Sequence, residues 1–205
     1  LVDAGLRVVR MGIQTASEST KKLYKRNYSQ DIIKKAVLTI NSFKDKLKMI
    51  FYDIIVDNPW ESDDQLVETL MFFSELPPPY YLNLFSLTFY PGTELYTVAR
   101  RDGIIKDDLN DVYRKYYHSY GKTYFNMLFV LQGEYTKRGM RIPSAAMAIL
   151  TDRFVRRSGL GWIFLALVKL PIIISRFFYL MREGFNAVRA KDISRIVRYV
   201  IRRTR

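Results

Sequence analysis

The stretch Lys48-Met-Ile-Phe-Tyr-Asp-Ile-Ile-Val-Asp-Asn-Pro-Trp-Glu-Ser62 decides the fold. From Met49 to Val56 it is apolar or aromatic apart from Asp53, and Asp57-Asn-Pro59 closes it, so it reads as a strand ending in a turn. Glu61-Ser-Asp-Asp64 then places carboxylates where a helix N-terminus favours negative charge, and leucine, valine and phenylalanine continue on an inner face through Leu76. The unit is strand, turn, helix.

The same unit stands on either side. Upstream, Val8, Val9, Met11 and Ile13 suit a strand buried on both faces, and Ser17 begins a helix entry. A covering helix follows from Ser29 to Phe43, with Ile32, Ile33, Ala36, Val37 and Ile40 on one stripe. Downstream, Pro77-Pro-Pro79 breaks the chain, Tyr81 to Tyr90 reads as a third strand, and Pro91-Gly-Thr93 turns into a helix reaching about Gly103. Three such units, spaced roughly 35 to 45 residues apart, predict an α/β fold with parallel strands and crossover helices, as an open sheet or part of a barrel. In both, ligands bind at the C-terminal strand ends. Gln14, Thr15, Ser17, Asp57, Asn58, Tyr90, Pro91 and Gly92 fall there.

Composition narrows the chemistry. The 205 residues include no cysteine and one histidine, His118, which excludes a disulfide, a thiolate metal site and a cysteine nucleophile within the chain. The net charge is +13, concentrated in the last fifty or so residues, which points to an anionic surface as partner. Leu1-Val-Asp-Ala-Gly5 resembles a helix end before a strand, so the chain is expected to begin in mid-domain. No acid-base pair or phosphate loop stands out. His118, among Tyr113, Tyr116, Tyr117, Tyr120 and Tyr124, reads as a partly buried helix residue within an aromatic wall.

The C-terminal part has a different character. A helical stretch is expected from Ser144 to Arg157, then an apolar run from Trp162 to Met181 interrupted by Lys169, Pro171, Ser175 and Arg176, then a basic helix from Val188 to Arg205 with Ile193, Ile196, Val197, Val200 and Ile201 on one side. The charged interruptions disfavour a membrane span. A pair of interfacial helices on anionic lipid and a pair packed on another part of the protein both fit. Nucleic-acid binding through Arg195, Arg198, Arg202, Arg203 and Arg205 ranks third, because the interleaved aliphatic residues imply one buried face.

Each polar strand end has a plain structural reading beside the functional one. Thr15 or Ser17 caps the next helix, Arg26 is a solvated surface residue, Asp57 to Glu61 is a turn with an N-terminal acid, and Tyr90 to Thr93 is a turn with its glycine. Together, however, Met11-Gly-Ile-Gln-Thr-Ala-Ser-Glu18 with Lys25-Arg-Asn-Tyr-Ser29, Asp53-Ile-Ile-Val-Asp-Asn-Pro-Trp-Glu-Ser62 and Phe89-Tyr-Pro-Gly-Thr-Glu-Leu-Tyr96 resemble, in order and spacing, the radical S-adenosylmethionine (SAM) enzymes of the cobalamin-associated branch.

The resemblance covers about residues 1 to 105 and implies the last three strands of a partial six-stranded (β/α) barrel, with a helical, tyrosine-rich extension over 106–158 and an apolar and basic helical tail over 159–205. It implies an S-adenosylmethionine site in which Gln14 and Ser17 lie near the methionine or ribose, Arg26 faces the carboxylate, Ile55 packs on the adenine, and the backbone around Tyr90 and Pro91 bonds its edge. Thr15 and Asn58 join the polar rim. Asp53 and Asp57 stand where the family pattern has glycine, and Asp57 either bonds a ribose or substrate or caps the next helix. The family's Cys-x-x-x-Cys-x-x-Cys segment, which binds a four-iron four-sulfur cluster, would precede Leu1, as would a cobalamin domain. A full-length parent would cleave S-adenosylmethionine reductively with an electron-donor protein and act on an unknown small substrate, and the isolated fragment would be inactive. The expected location is the cytoplasm, with peripheral attachment at the inner face of the membrane. Two rivals remain: a membrane-surface scaffold without catalysis, and a small nucleotide-binding domain.

Overall fold

A computed structural model describes the backbone of residues 1–189 and the side chains of residues 1–182. The expected basic stripe from Ile193 to Ile201 lies outside these residues. Three parallel strands, β1 (Val8–Gln14), β2 (Met49–Val56) and β3 (Tyr81–Ser86), form a sheet in the order β1-β2-β3. Val8 pairs with Met49, Phe51 with Tyr81 and Ile55 with Phe85, so the register puts whole rows of side chains on common faces.

One face is covered. Ile13, Ile50, Tyr52, Ile54, Val56 and Leu84 are buried there with Ile33 and Val37 of helix α2 (Gln30–Asn41) and Leu70, Phe72 and Phe73 of α3 (Asp63–Glu75). Both helices begin where the sequence indicates: Ser29 Oγ accepts from Ile32 N, and Ser62 with Gln65 forms a complete reciprocal cap. The other face carries Arg10 and Gly12, Phe51, Asp53 and Ile55, and Asn83 and Phe85, all exposed or half-buried. β1 is therefore covered on one face and not on both as its apolar run predicts. Apolar side chains alternate along β2 as buried and half-buried, a distinction that Met-Ile-Phe-Tyr hides because Phe51 and Ile55 are as apolar as their neighbours.

The tyrosine-rich segment contains an element that its sequence conceals. Helix α5 (Tyr124–Thr136) lies on β3 and is buried nearly all round, so it has no polar stripe to announce it. Gly133 permits the approach, since a Cβ there would stand 3.2 Å from the Leu82 Cβ. The Thr136 hydroxyl donates to the Tyr80 carbonyl and Gln132 to the Leu70 carbonyl, which fixes α5 to β3 and α3. One hydrophobic cluster runs from Ile13 through Phe129 to Ile172, joining the sheet to the C-terminal helices.

The third strand stops at Ser86, short of Tyr90, although Leu87 N still donates to the Val56 carbonyl. Leu87 and Phe89 turn into a second, smaller cluster with Ala99 of α4 (Glu94–Arg101), Ile105 and Val112. Helix α1 (Glu18–Leu23) and a π-helical turn (Leu109–Tyr113) complete this end. The predicted helix from Ser144 to Arg157 is two helices, α6 (Ser144–Thr151) and α7 (Arg153–Arg157), divided at Asp152, whose carboxylate caps the second. From Leu160 to Arg189 runs a single helix, α8, which continues through Pro171, and the expected basic helix from Val188 to Arg205 lies almost wholly outside the described residues.

Candidate functional site

Two of the three strands end in a residue that glycine would occupy more easily. Gln14 has φ +70° and Asp57 φ +58°, and Lys25, at the end of α1, has φ +54°. These are the only non-glycine residues with positive φ among the described residues, and all three stand at the C-terminal rim of the sheet. At Asp57 the left-handed backbone is one that glycine would adopt without steric cost.

The polar strand ends divide into two sets. The first is turned inward and satisfied. Thr15, only 1% exposed, donates to Glu61 Oε1 at 3.2 Å, lies 3.2 Å from Thr69 Oγ1, and accepts from Ser17 N at 3.1 Å. Thr20 Oγ1 donates to the same Glu61 oxygen at 3.0 Å, and Thr69 Oγ1 accepts from Ala16 N. Ser17 is equally buried, with its hydroxyl 3.0 Å from that of Ser19. Burial pushes the Glu61 carboxyl above the usual carboxylate range, and the two threonine hydrogen bonds oppose it. Beside it, burial and the Glu61 charge raise the Tyr24 hydroxyl. The Tyr24 hydroxyl and the amide nitrogen of Asn58 are both buried without a hydrogen bond of normal geometry.

Asp57 belongs to this set. Its Oδ2 accepts from Ser86 Oγ at 2.8 Å and from Gly121 N at 3.0 Å, and its Oδ1 accepts from Asn126 Nδ2 at 2.7 Å. The carboxylate thus ties the end of β2 to the end of β3 and to the start of α5. It does not cap α3, because Ser62 does.

The second set is open. Gln14, Arg26 and Ile55 line a cleft of about 340 Å3 with Thr88 and Glu94. Gln14, Ile55 and Thr88 also line an adjoining cleft of about 320 Å3, which adds Asp53, Tyr90 and Tyr117. The two form one groove over the open sheet face at the strand ends. Pro91 and Gly92 lie beside it on the exposed turn after Tyr90. Lys25 and Glu94 pair across the mouth between α1 and α4, next to Arg26. Deeper in the open face, Asp53 accepts from Asn83 at 2.8 Å and stands 3.7 Å from Arg10, whose guanidinium lies over the Phe51 ring.

Aromatic rings wall the far side. Tyr117 stacks on Phe85 at 5.8 Å between centroids, and His118 lies 5.0 Å from Phe85 and 4.3 Å from Tyr117. His118 is exposed and outside any helix, contrary to its sequence reading. Lys115 lies over the Phe89 ring, and its partial burial holds the ammonium below the usual lysine range against the pull of Asp57 and Asp111.

The structure therefore brings Gln14, Arg26, Ile55 and Tyr90 to one groove and commits Thr15, Ser17 and Asp57 to holding it. Sequence reasoning missed Phe85 and Thr88 at the groove, and Thr20 and Thr69 behind it. Phe85 was legible through β3's alternation once the register was known, whereas Thr69 sits within an apolar helix face and gave no signal. Among the described residues no group of three or more His, Cys, Asp or Glu side chains is gathered to hold a metal ion. One described helix, over Leu160–Arg182, is long and apolar enough to cross a membrane. No family model matches the chain, and a search of the curated proteins found no match.

Proposed function

We propose that this chain is the adenosyl-binding, C-terminal part of a radical S-adenosylmethionine enzyme core. What carries the reading is convergence: Gln14 from the first strand unit, Ile55 from the second and the Leu87–Tyr90 backbone from the third face one groove, with Arg26 at its rim. A side chain amide, an aliphatic floor, an extended backbone and a guanidinium together suit a ribose, an adenine and a carboxylate, the groups that the sequence resemblance assigns to them. The groove's size is in the range of small-molecule sites.

The finer architecture, a partial (β/α) barrel, is supported by the one-sided sheet. Parallel sheets are ordinarily covered on both faces, and a half-polar face bearing Arg10, Asp53 and Asn83 suits the interior of a barrel around a polar ligand. The iron-sulfur cluster does not fit the residues present, since the 205 residues contain no cysteine. Its ligands would belong to sequence before Leu1, and cobalamin association rests on the resemblance alone. When bound, S-adenosylmethionine would supply the sulfonium for reductive cleavage. The residues present would orient the molecule, Arg26 by charge on its carboxylate and Ile55 by contact with its adenine, and exclude water from the base.

The test has two arms. The in-frame coding sequence upstream of Leu1 should encode Cys-x-x-x-Cys-x-x-Cys after a strand, and calorimetric titration of the 205-residue chain should detect S-adenosylmethionine with a Kd no weaker than about 1 mM. Ile55→Asp should abolish that binding. Tighter binding of ATP than of S-adenosylmethionine, without the upstream motif, would replace this reading with a nucleotide-binding domain.

A further inference from the structure

Helix α8 carries two parallel stripes on opposite sides. The first docks it to the body. A Cβ at Gly161 would meet the Tyr124 ring at 2.8 Å, so glycine lets that ring lie against the start of the helix, and Trp162 packs edge-on against the same ring. Leu165 and Ile172 are buried in the main cluster, and the Tyr135 hydroxyl donates to the Val168 carbonyl at 2.7 Å. Positions 161, 165, 168 and 172 recur every three or four residues and so share one face. Contacts with α5, α6 and α7 hold that face, and Arg156 of α7 is in turn paired with Asp63 and Asp64 at the start of α3. The helix is thus clamped from Gly161 to Ile172.

The second stripe faces away from the body. Ile163, Leu167, Leu170, Ile174, Phe177 and Met181 are spaced four, three, four, three and four residues apart, and each is exposed, with Phe177 58% exposed. The flanking Ile173 and Phe178 widen it. Only 11% of the most apolar window of Leu160–Arg182 is buried, at a mean hydropathy of 2.0. The charged residues Lys169, Arg176 and Arg182 lie off this stripe, on the helix flanks.

We propose that α8 lies in the plane of an anionic lipid bilayer, with the Ile163–Met181 stripe immersed in the acyl boundary and the α/β body held above it. A span is opposed by the clamp. A transmembrane helix needs about 20 apolar residues free of the soluble body, and beyond Ile172 the apolar run reaches only Met181 before Arg182 and Glu183. An exposed apolar stripe, a cationic flank and a tryptophan at the stripe's start are what an in-plane helix uses. Charge selects lipid over a second copy of the chain. Residues 183–205 carry seven Lys and Arg against two Asp and Glu, so a parallel pair of α8 helices would bring two cationic tails together, whereas an anionic headgroup layer attracts each of them. The proposal is independent of the groove and its ligand.

Flotation of the full chain with lipid vesicles tests it. The chain should float with phosphatidylcholine vesicles containing about one third phosphatidylglycerol, bind pure phosphatidylcholine at least about tenfold more weakly, and lose the difference at about 1 M salt. Leu170→Glu with Phe177→Glu should abolish flotation while leaving the far-ultraviolet circular dichroism unchanged, since neither side chain touches the body. Because the chain has no cysteine, single cysteines at Ile163, Ile174 and Met181 can each carry an environment-sensitive fluorophore. All three should report one shallow depth. A progressive change of depth from Ile163 to Met181 would overturn the in-plane arrangement, and no binding to either vesicle, or a dimer in light scattering that the double variant dissolves, would overturn lipid as the occupant.

Discussion

The two sets of polar residues at the sheet's C-terminal rim differ in what they have already bonded. Thr15, Ser17 and Asp57 are occupied with the protein itself, whereas Gln14, Arg26 and Tyr90 have side chains directed to a groove. Residues of the same chemical type, a few positions apart, thus divide between building a site and serving it. The difference lies in backbone direction: β1's positive-φ residue turns Gln14 over the open face, and Thr15 and Ser17 then pass behind the strand toward α3. A polar strand end is informative about ligands only when its hydrogen bonds are unspent.

The strongest way to break this contrast is Asp57→Ala. It strips the acceptor from Ser86, Gly121 and Asn126 and leaves a β-carbon in a left-handed conformation, so a loss of about 3 kcal/mol in urea unfolding is expected. Asp57→Gly, relieved of the backbone strain, should recover about 1 kcal/mol of it. An unchanged midpoint for Asp57→Ala would move this residue from the framework to the ligand side. Thr69→Val comes next, since it leaves the buried Ala16 N–H without an acceptor and removes a neighbour of Thr15, at a cost of about 2 kcal/mol.

Glu61 gives the contrast a pH signature. Its folded-state pKa is raised, so the folded protein holds that proton more tightly than the unfolded chain does. The carboxyl therefore detracts from stability as pH rises from the ordinary carboxylate value through the raised one, and the full loss is present above it. Glu61→Gln, which keeps an acceptor for Thr15 and Thr20 but cannot ionise, should match the wild type in acid and become the more stable of the two toward neutral pH. A constant difference across that range would show that the group does not titrate anomalously.

On the open side the effects on folding should be small and those on binding large. Gln14→Gly should raise stability by about 0.5 kcal/mol, because relief of a left-handed backbone slightly outweighs the added freedom of the unfolded chain. Under the proposed function, the same change should weaken S-adenosylmethionine binding. Tyr90→Ala, at a side chain 61% exposed, should alter stability by less than about 0.5 kcal/mol. A large loss of stability from either would erase the distinction between the two sets.

Much of the sheet was legible because β2 and its turn carry signals of period and punctuation that do not depend on the rest of the chain. Met49–Val56, the Ser29 and Ser62 caps and the parallel order followed from local pattern. Three features were not legible, each for its own reason. Helix α5 is apolar on all sides, so neither helical nor strand period emerges from Tyr124 to Thr136. The end of β3 at Ser86 depends on the Tyr117 carbonyl taking the Ser86 N–H, a contact with a distant segment. The division of the rim depends on which hydroxyls meet Glu61, which no spacing encodes. Gln14 and Tyr90 were placed at the rim by the strand-turn-helix pattern, whereas Ile55 was singled out only through a family resemblance, and periodicity alone would have left it an ordinary strand residue.

The outer edge of β1 has a practical consequence. No described strand pairs with it, and among its carbonyls Ile13 O is taken by the Tyr28 hydroxyl while the edge from Val8 to Gly12 meets no such cover. Produced by itself at high concentration, this polypeptide offers that row of amides to any extended chain, including its own siblings, and Arg7 and Arg10 are the charges that β1 and the residue before it contribute against such pairing. Its solubility should therefore rise when the buffer is dilute in salt and fall as those charges are screened, so handling conditions chosen to release it from lipid would be the ones most prone to drive it into fibrous precipitate.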